Sequence, residues 1–492
     1  MDTTISTEAE GPPQKNGDAG ASIPLAIDLD GTLIRTDSLI ESLMRLFKSS
    51  PMSGFSMLAW LAGGRARLKQ EVARRVTLDV SSLPYNIEVL TFLRDQHHDN
   101  RPLVLATGAD AHIARQIADY LQIFDRVLAS DGTTNLAGTA KRERLATEFG
   151  IGGFDYLGNG RPDLPVWQAA RRAMVVGSPA FVDRLRARLP NLDRVFAVEA
   201  ADWRTWLRPL RMYQWLKNML VFVPLLGAQH FDAIGPFLSA GVAFLAFGLC
   251  ASSVYILNDL LDLPDDRRHP RKRRRPFASG KLPLGAGLAM APLLLGLSIA
   301  VGWSALPRAF LAVLGIYYAL TLAYSLRLKQ IVILDVIVLA ALFTVRMMAG
   351  SAAVSIWPSA WLLAFSMFLF ISLALVKRYA ELATMRLEHG PNARARGYEV
   401  SDAELLASMG VASAFVAILV LVLYITSGAA HLHYGRHQAI WLVCPFLLYW
   451  LCNIWLVAHR GSMHDDPLVF ALKDRVSRFV MGAMVITMLL AI

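Results

Sequence analysis

Cysteine is scarce in this 492-residue chain: Cys250, Cys444 and Cys452 are the full complement, and each lies within an apolar run. Three thiols so placed argue against a disulfide framework and against a cysteine zinc site. The opening stretch lacks an apolar core as well. Met1 to Ala21 is polar and rich in Gly, Pro, Ser and Thr, so no cleavable signal peptide is visible, and residues 1–22 read as a disordered tail. Acid is in short supply: 39 Asp and Glu face 49 Lys and Arg, a formal net charge of +10. An excess of that size can mark a nucleic-acid binder. Here the cations gather between apolar runs, which points to membrane topology and anionic partners and away from nucleic acid.

What the chain has in abundance is apolar surface. Hydrophobic residues make up 54% of it, and the mean hydropathy of +0.41 exceeds what a soluble domain needs. The length allows two or more domains, and the apolar excess is uneven. Up to about residue 200 the composition is mixed and soluble. Beyond about 215, nine apolar segments follow, near 217–234, 236–258, 284–304, 307–326, 331–350, 357–376, 408–427, 437–457 and 474–492. Each is about long enough for a bilayer core, the first being interrupted by Pro224, Gly227 and His230. One set of loops carries the Arg267-to-Lys281 block, Arg327 and Lys329, the 377–396 region and Arg460 to Arg475. The other holds little beyond Arg308 and Arg436. The positive-inside rule makes the basic side cytosolic, which places the N-terminal part in the cytosol.

A cluster of acids followed by a block of bases dominates the second half. Asn258-Asp259-Leu260-Leu261-Asp262-Leu263-Pro264-Asp265-Asp266 runs straight into Arg267 and the basic residues to Pro276. At helical spacing Asp259, Asp262 and Asp266 project within roughly a 60° sector, while Asp265 points elsewhere. Pro264 kinks or ends the helix, so Asp266 is expected to approach from a loop. Three converging carboxylates beside a membrane are costly unless a cation neutralises them, and an oxygen-only set favours Mg²⁺ that also holds substrate phosphate. The alternative is a solvated acidic-then-basic loop with internal salt bridges. Further polar residues on the same side are Tyr324, Arg327, Lys329, Asp335, Lys377, Arg378 and Glu381, with His464, Asp465 and Asp466 before the last segment; Arg346 lies deeper. Asp335 reads either as a second metal or substrate carboxylate or as an ion pair with a neighbouring-helix cation. Lys377, Arg378 and Glu381 read as substrate contacts or interfacial anchors. Trp203, Trp206 and Trp215 alternate with Arg204, Arg208, Arg211 and Lys217, which predicts a short amphipathic linker helix (196–216) on the cytosolic surface.

The soluble half carries a second acid site. A short apolar run ends in Asp28-Leu29-Asp30-Gly31-Thr32-Leu33, a strand delivering two aspartates into a glycine turn. Asp28 is placed to act as a nucleophile and Asp30 as general acid/base. A second run ends in Thr107-Gly108, whose hydroxyl and N–H groups can bind phosphate, and Lys141 can balance phosphate charge. A later turn carries Gly158-Asn159-Gly160-Arg161-Pro162-Asp163. Alternating strands and helices suggest a parallel α/β sheet with its loops at one end.

This order resembles the haloacid dehalogenase-like phosphatase superfamily over 23–195, with the region between Leu33 and Arg101 as its helical cap. The resemblance implies a Rossmann-like α/β fold, Asp28 as nucleophile, Asp30 as acid/base and Thr107 and Lys141 as phosphate binders. It implies a metal site of Asp28, Asp30, Asp163 and the Asn159 position. That family usually presents aspartate where this chain has Asn159, and a neutral amide binds Mg²⁺ more weakly, so both a phosphatase and a binding module stay open.

Residues 205 to 492 resemble the UbiA-type prenyltransferase superfamily, through nine spans and the Asn258-Asp259-x-x-Asp262-x-x-x-Asp266 motif. Pro209, Gln214 to Asn218, His269-Pro270-x-Lys272-Arg273-x-Arg275-Pro276, Tyr324 with Lys329 and Asp335, and Lys377-Arg378-x-x-Glu381-Leu382 are similar to its decaprenyl-phosphate phosphoribosyltransferase branch. The quinone-pathway branch more often carries a further aspartate where Leu339 stands. The resemblance implies an all-α nine-helix transmembrane domain (217–492) in a bacterial-type cytoplasmic membrane. It also implies transfer of phosphoribose from phosphoribosyl diphosphate to a polyprenyl phosphate. Asp259, Asp262 and Asp266 would hold Mg²⁺, Asn258 would orient a donor hydroxyl or metal-bound water, and Lys272, Arg273 and Arg275 would grip phosphates. Aromatic prenyl transfer from a polyprenyl diphosphate is the competing enzyme class; a transporter and a membrane scaffold are the other two. Whether the chain works as a monomer or a homo-oligomer is left open.

Overall fold

The computed structural model describes residues 23–227, 234–389, 394–427, 436–463 and 466–491, and the chain divides into two compact units, 1–200 and 201–492. In the first unit, six short strands form one parallel sheet: β1 (Leu25–Ile27), β2 (Leu103–Asp110), β3 (Arg126–Ser130), β4 (Asp155–Gly158), β5 (Ala173–Gly177) and β6 (Leu192–Ala197). Their order is β3-β2-β1-β4-β5-β6. The central β1 is a fully buried apolar triplet, as expected of a strand covered on both faces. Strand order reverses across β1, and its carboxyl end is where ligands bind in such sheets. Between β1 and β2 the chain is helical, and the pieces that bear on the site are α1 (Ser38–Ser49) and α2 (Arg65–Ala73); α3 (Thr139–Phe149) follows β3. The apolar stretch near 51–62 forms a helix from Ser53 that buries Met57 and Trp60 against the core but leaves Leu58 and Leu61 exposed.

The second unit is helical. Its long elements are α4 (Ile234–Leu261), α6 (Leu284–Ala305), α7 (Arg308–Leu326), α8 (Leu334–Val354), α9 (Ala360–His389), α10 (Ala403–Thr426) and α11 (Val443–His459), with a short α5 (Leu263–Arg268) after α4. Two shorter helices close the chain: α12 (Pro467–Lys473) and α13 (Arg475–Ala491). Among the described residues, seven helices are long and apolar enough to cross a membrane. Two of the nine expected segments therefore lack a helix of that length. The first becomes a 3₁₀ helix, Met212–Phe222, and a five-residue helix, Val223–Gly227, because Pro224 brings no N–H to the ladder. His230 lies outside the described residues, as do His464 and Asp465. The last, α13, is 17 residues long, shorter than the roughly 20 that span a bilayer core.

The expected surface helix at 196–216 also takes another form. Only Trp203–Leu207 is α-helical; Trp203 is exposed, but Trp215 turns inward, donates its indole N–H to the Ser252 hydroxyl at 2.9 Å and lies over Gly248. The 3₁₀ segment is pinned further along by Gly350 of α8, where an added Cβ would stand 1.9 Å from the Val221 carbonyl oxygen. Backbone cannot yield there as a flexible side chain would. Gly350→Ala is therefore expected to destabilise the membrane unit by about 1–3 kcal/mol, the usual cost of overpacking, read as a lower Tm in detergent. Gly241→Ala, which meets open space, serves as the neutral control.

Candidate functional site

The helix α4 delivers Asp259 to its own end, fully buried. Asp262 falls between α4 and α5, and Pro264 sits in the first turn of α5, where its missing N–H costs nothing. Asp266 consequently comes from a short helix and not from a loop, and its N–H still bonds the Asp262 carbonyl at 2.8 Å. Asp265 is exposed on the far side.

Each of the three acids meets a cation. Arg275 Nη1 lies 3.1 Å from Asp259 and 2.6 Å from Asp266, so two carboxylates converge on one positive centre. Arg211 also pairs with Asp259, and its guanidinium faces the Tyr255 ring. Lys329 reaches Asp262 at 3.2 Å. Burial raises the Asp266 carboxyl above the ordinary carboxylate range, with Arg275 opposing. Lys272 and Arg273 are exposed and form no ion pair with these acids among the described residues, though Lys272 is near enough to favour the charged form of Asp266, and Asn258 is half-buried with no side-chain hydrogen bond there. Arg211 was legible only as a headgroup anchor; its partner is 48 positions away.

Asp335 is held elsewhere. Fully buried at the start of α8, it lies 2.6 Å from Arg378 Nη2 and accepts the Tyr398 hydroxyl. Arg378, just 1% exposed, also pairs with Glu381, which lies 3.9 Å from Arg396; Arg396 in turn donates to the Tyr324 hydroxyl at 3.4 Å. The ion-pair alternative for Asp335 is thus the arrangement found. Lys377 turns the other way and shares Asp466 with Lys217, at 3.2 and 2.9 Å. Burial would raise the Asp466 carboxyl, but the two lysines outweigh it and hold it well below the ordinary range. An apolar groove of about 330 Å³ opens between α9, α10 and α11, lined by Val411, Phe415, Leu448 and Trp455, and none of the acids above lines it.

In the first unit, Asp28 and Asp163 come together on Lys141 at the carboxyl ends of β1 and β4, while Asp30 does not join them. Lys141 is buried and meets Asp28 at 2.9 Å, the Tyr156 hydroxyl at 2.9 Å and Asp163 at 3.4 Å. Asp163 accepts from the N–H groups of Asn159 and Gly160 and from the Tyr156 hydroxyl. Thr107 is fully buried and its hydroxyl accepts the Ala109 N–H at 3.0 Å. Asp30 turns to the start of α1, where both its oxygens are taken by Ser38. Asn159 lies over Gly31, whose φ of +75° and lack of Cβ make room for the amide. Burial pushes the Asp28 carboxyl up to about 6, against Lys141, and pushes Asp30 up to about 7, aided by Asp37. Tyr156 and Lys69 were missed from sequence: Lys69 reaches from α2 to the Asn135 side chain at 2.7 Å. No spacing signal announces either residue.

Residues 220–474 match the model of the UbiA prenyltransferase family. The chain belongs to that family. It is an integral membrane protein and a UbiA-family transferase. An uncharacterized protein, y4nM, from Sinorhizobium fredii is 38% identical over 468 residues, covering 94% of this chain and 90% of its own length. With 94% of this chain covered, both units have counterparts in that relative. Nodulation protein NoeC of Azorhizobium caulinodans is 36% identical over 277 residues, 55% of this chain and 87% of that protein. The decaprenyl-phosphate phosphoribosyltransferase of Corynebacterium glutamicum is 39% identical over 180 residues, 36% of this chain. The match spans about half of that relative, 54% of its length.

The UbiA-family unit does not gather three acids around one point: among the described residues, no group of three or more His, Cys, Asp or Glu could hold a metal. Magnesium, however, commonly takes one or two carboxylates and completes its shell with water and substrate phosphate. Asp259 and Asp266, converging on the Arg275 nitrogen, fit that requirement, with Asp262 beside them. The first unit does not fit. Asp30 is spent on Ser38, Asp163 on N–H and hydroxyl donors, and Asn159 is neutral, which leaves Asp28 bound to Lys141.

Two outcomes are expected from these geometries. Breaking the Asp335–Arg378 pair with Arg378→Met leaves a buried charge, at a cost of about 3–5 kcal/mol, while adding Asp335→Leu restores most of it, seen as Tm in detergent. For Asp30, the folded carboxyl keeps its proton up to about pH 7 while the unfolded one loses it near 3.8. Stability of the first unit therefore falls as pH rises between those values. Asp30→Asn should raise the Tm of residues 23–200 at pH 8 and leave it unchanged at pH 4.

Proposed function

We propose that this UbiA-family transferase moves a phosphoribosyl group from phosphoribosyl diphosphate to a polyprenyl phosphate. The observation that carries it is the pair of buried acids, Asp259 and Asp266, converging on one cation at the end of α4. Support comes also from the identity with decaprenyl-phosphate phosphoribosyltransferases and from Leu339 standing where an aromatic-prenylating relative more often has aspartate.

An oxygen of the lipid phosphate attacks the anomeric carbon as the bond to diphosphate breaks. Positive charge grows on the sugar ring and negative charge on the leaving group. Magnesium, held by Asp259 and Asp266 with Asp262 beside them, would neutralise the departing diphosphate. Arg211, Arg275 and Lys329 supply fixed positive charge beside the same acids, and arginine forks suit phosphate oxygens. Asn258, with no protein partner among the described residues, has its amide available to a donor hydroxyl. We take this end and the N-terminal unit to face the cytosol, a reading supported by the concentration of Lys and Arg in one set of loops.

The N-terminal unit, with its likeness to haloacid dehalogenase-type phosphatases, is proposed to bind a phosphate monoester near Asp28, Thr107 and Lys141. Asp30 is engaged by Ser38, Asp163 by N–H and hydroxyl donors, and Asn159 is neutral, so the role proposed is binding and not hydrolysis.

Membranes given radiolabelled phosphoribosyl diphosphate with polyprenyl phosphate and Mg²⁺ are expected to yield a lipid-soluble product that keeps its ribose phosphate. Asp259→Asn should cut the rate by about 10²–10³-fold, the scale of losing one electrostatic stabiliser, and chelation should abolish it. Product only from polyprenyl diphosphate with hydroxybenzoate would overturn the assignment in favour of aromatic prenylation.

A further inference from the structure

Away from the acids, the bundle holds more positive charge than it neutralises. Arg346 lies eleven residues beyond Asp335 on α8, about 16 Å further along the helix. It is 5% exposed. Its Nε donates to the Asn218 side-chain oxygen at 3.2 Å, Nη1 to the Leu342 carbonyl and Nη2 to the Tyr317 hydroxyl at 3.1 Å. The rings of Phe247, Tyr317 and Phe343 surround the guanidinium. Among the described residues no carboxylate pairs with it.

Two more cations stand close by. Lys217 Nζ lies 5.9 Å from the Phe343 ring centre and Arg346 Cζ 5.5 Å from the same centre, so both border one ring. Lys217 and Lys377 share a single oxygen of Asp466. Among the described residues Asp466 is the one carboxylate that pairs directly with any of these three cations; Glu381, which also faces Lys377, is taken up by Arg378 and Arg396, and Arg378 by Asp335, so five cations against three acids leave a surplus of +2. Beside them Asn218, 1% exposed, has an amide nitrogen with no hydrogen-bond partner. Arg346 alone could be a tie between helices, satisfied by neutral acceptors. That role explains neither the surplus lysine nor the idle amide donor. Charge within a membrane bundle is expensive, and a site of this kind is stable when an anion completes it.

We propose that Arg346, Lys217, Lys377 and the Asn218 amide seat the phosphate of the acceptor lipid, a dianionic phosphate monoester on an isoprenoid chain. This rests on the phosphoribosyl-transfer function proposed above. A charge of −2 matches the surplus, and cations with an amide donor hold a monoester without a metal, whereas at the diphosphate end Asp259, Asp262 and Asp266 already offset Arg211, Arg275 and Lys329, so a metal is needed there.

The test uses the full-length protein in lipid nanodiscs with radiolabelled farnesyl phosphate as the probe, farnesol and inorganic phosphate as competitors, and EDTA present. Wild type is expected to bind the probe in EDTA, and neither competitor should displace it at equal concentration. Arg346→Gln and Lys217→Gln should each weaken binding by at least about tenfold, the scale of a lost charge-assisted hydrogen bond, with Mg²⁺-dependent phosphoribosyl diphosphate binding kept within about twofold. Arg346→Lys should recover part of the loss. Folded variants that bind farnesyl phosphate as wild type does would overturn the proposal, as would equal displacement by inorganic phosphate. Should Arg346→Gln not fold, Lys217→Gln and Lys377→Gln give the same reading at the other end of the cluster. If the variants lose farnesyl phosphate but wild type makes no phosphoribosyl lipid, the phosphate seat stands and the transfer function falls. If transfer occurs and the variants leave KM for the lipid unchanged, the function stands and the seat falls.

Discussion

A carboxylate removed from water at the end of a transmembrane helix must find positive charge, and the membrane unit is arranged around that demand. Asp259 and Asp266 are both 2% exposed, and they are tolerated because Arg275 folds back between them and Arg211 reaches Asp259 from the segment before α4. The break between α4 and α5 serves the same end. Had the helix run straight through Pro264, the proline would have clashed with the preceding turn. By restarting there, the chain keeps Asp266 helical and turns it back toward Asp259. Because these acids are held by side chains and not locked in a closed cage, a divalent ion with phosphate oxygens can compete for them.

Positive charge is treated differently further along α8. Arg346 is neutralised by no acid among the described residues and leans instead on aromatic faces, a carbonyl, a hydroxyl and an amide. Ring quadrupoles and neutral acceptors lower the cost of burying a guanidinium without cancelling its charge. Asp335 and Arg378 show the contrasting case, an acid and a base that offset each other's charge and tie in Tyr398 and Glu381. Among the described residues, buried ions thus include pairs that offset each other's charge and, at Arg346, a cation that no acid pairs with. Gly350 and Gly248 matter to the second kind, since they let the 3₁₀ segment bearing Lys217 and Asn218 approach α8 and α4 closely.

The N-terminal sheet applies the same electrostatics without a membrane. Placing β1 in the centre brings Asp28 within reach of Lys141 from α3 and beside the turn after β4. Desolvation there is strong enough to raise both aspartates of the motif, yet Asp30 is drawn away to the start of α1. A strand ending in two acids announced the site; where the second acid would turn was a matter of the helix that follows it.

Local order determined a good deal. Strands alternating with helices, the long apolar runs, the sidedness of Lys and Arg, and the 3–4 spacing of Asp259, Asp262 and Asp266 all follow from nearest-neighbour chemistry and helical period, so they can be read in one dimension. Partner choice cannot. Arg211 looked like an interfacial anchor and Trp215 like a headgroup ring until folding turned both inward, and Asp335 had several cations to choose from before packing chose Arg378. Pro224 was visible, but that it would leave a 3₁₀ segment pressed on α8 depended on a glycine 126 positions later. Sequence fixes which charges must be offset; only the tertiary fold decides by which residue, because ion pairs across helices depend on rotation and approach distance, which no local pattern encodes.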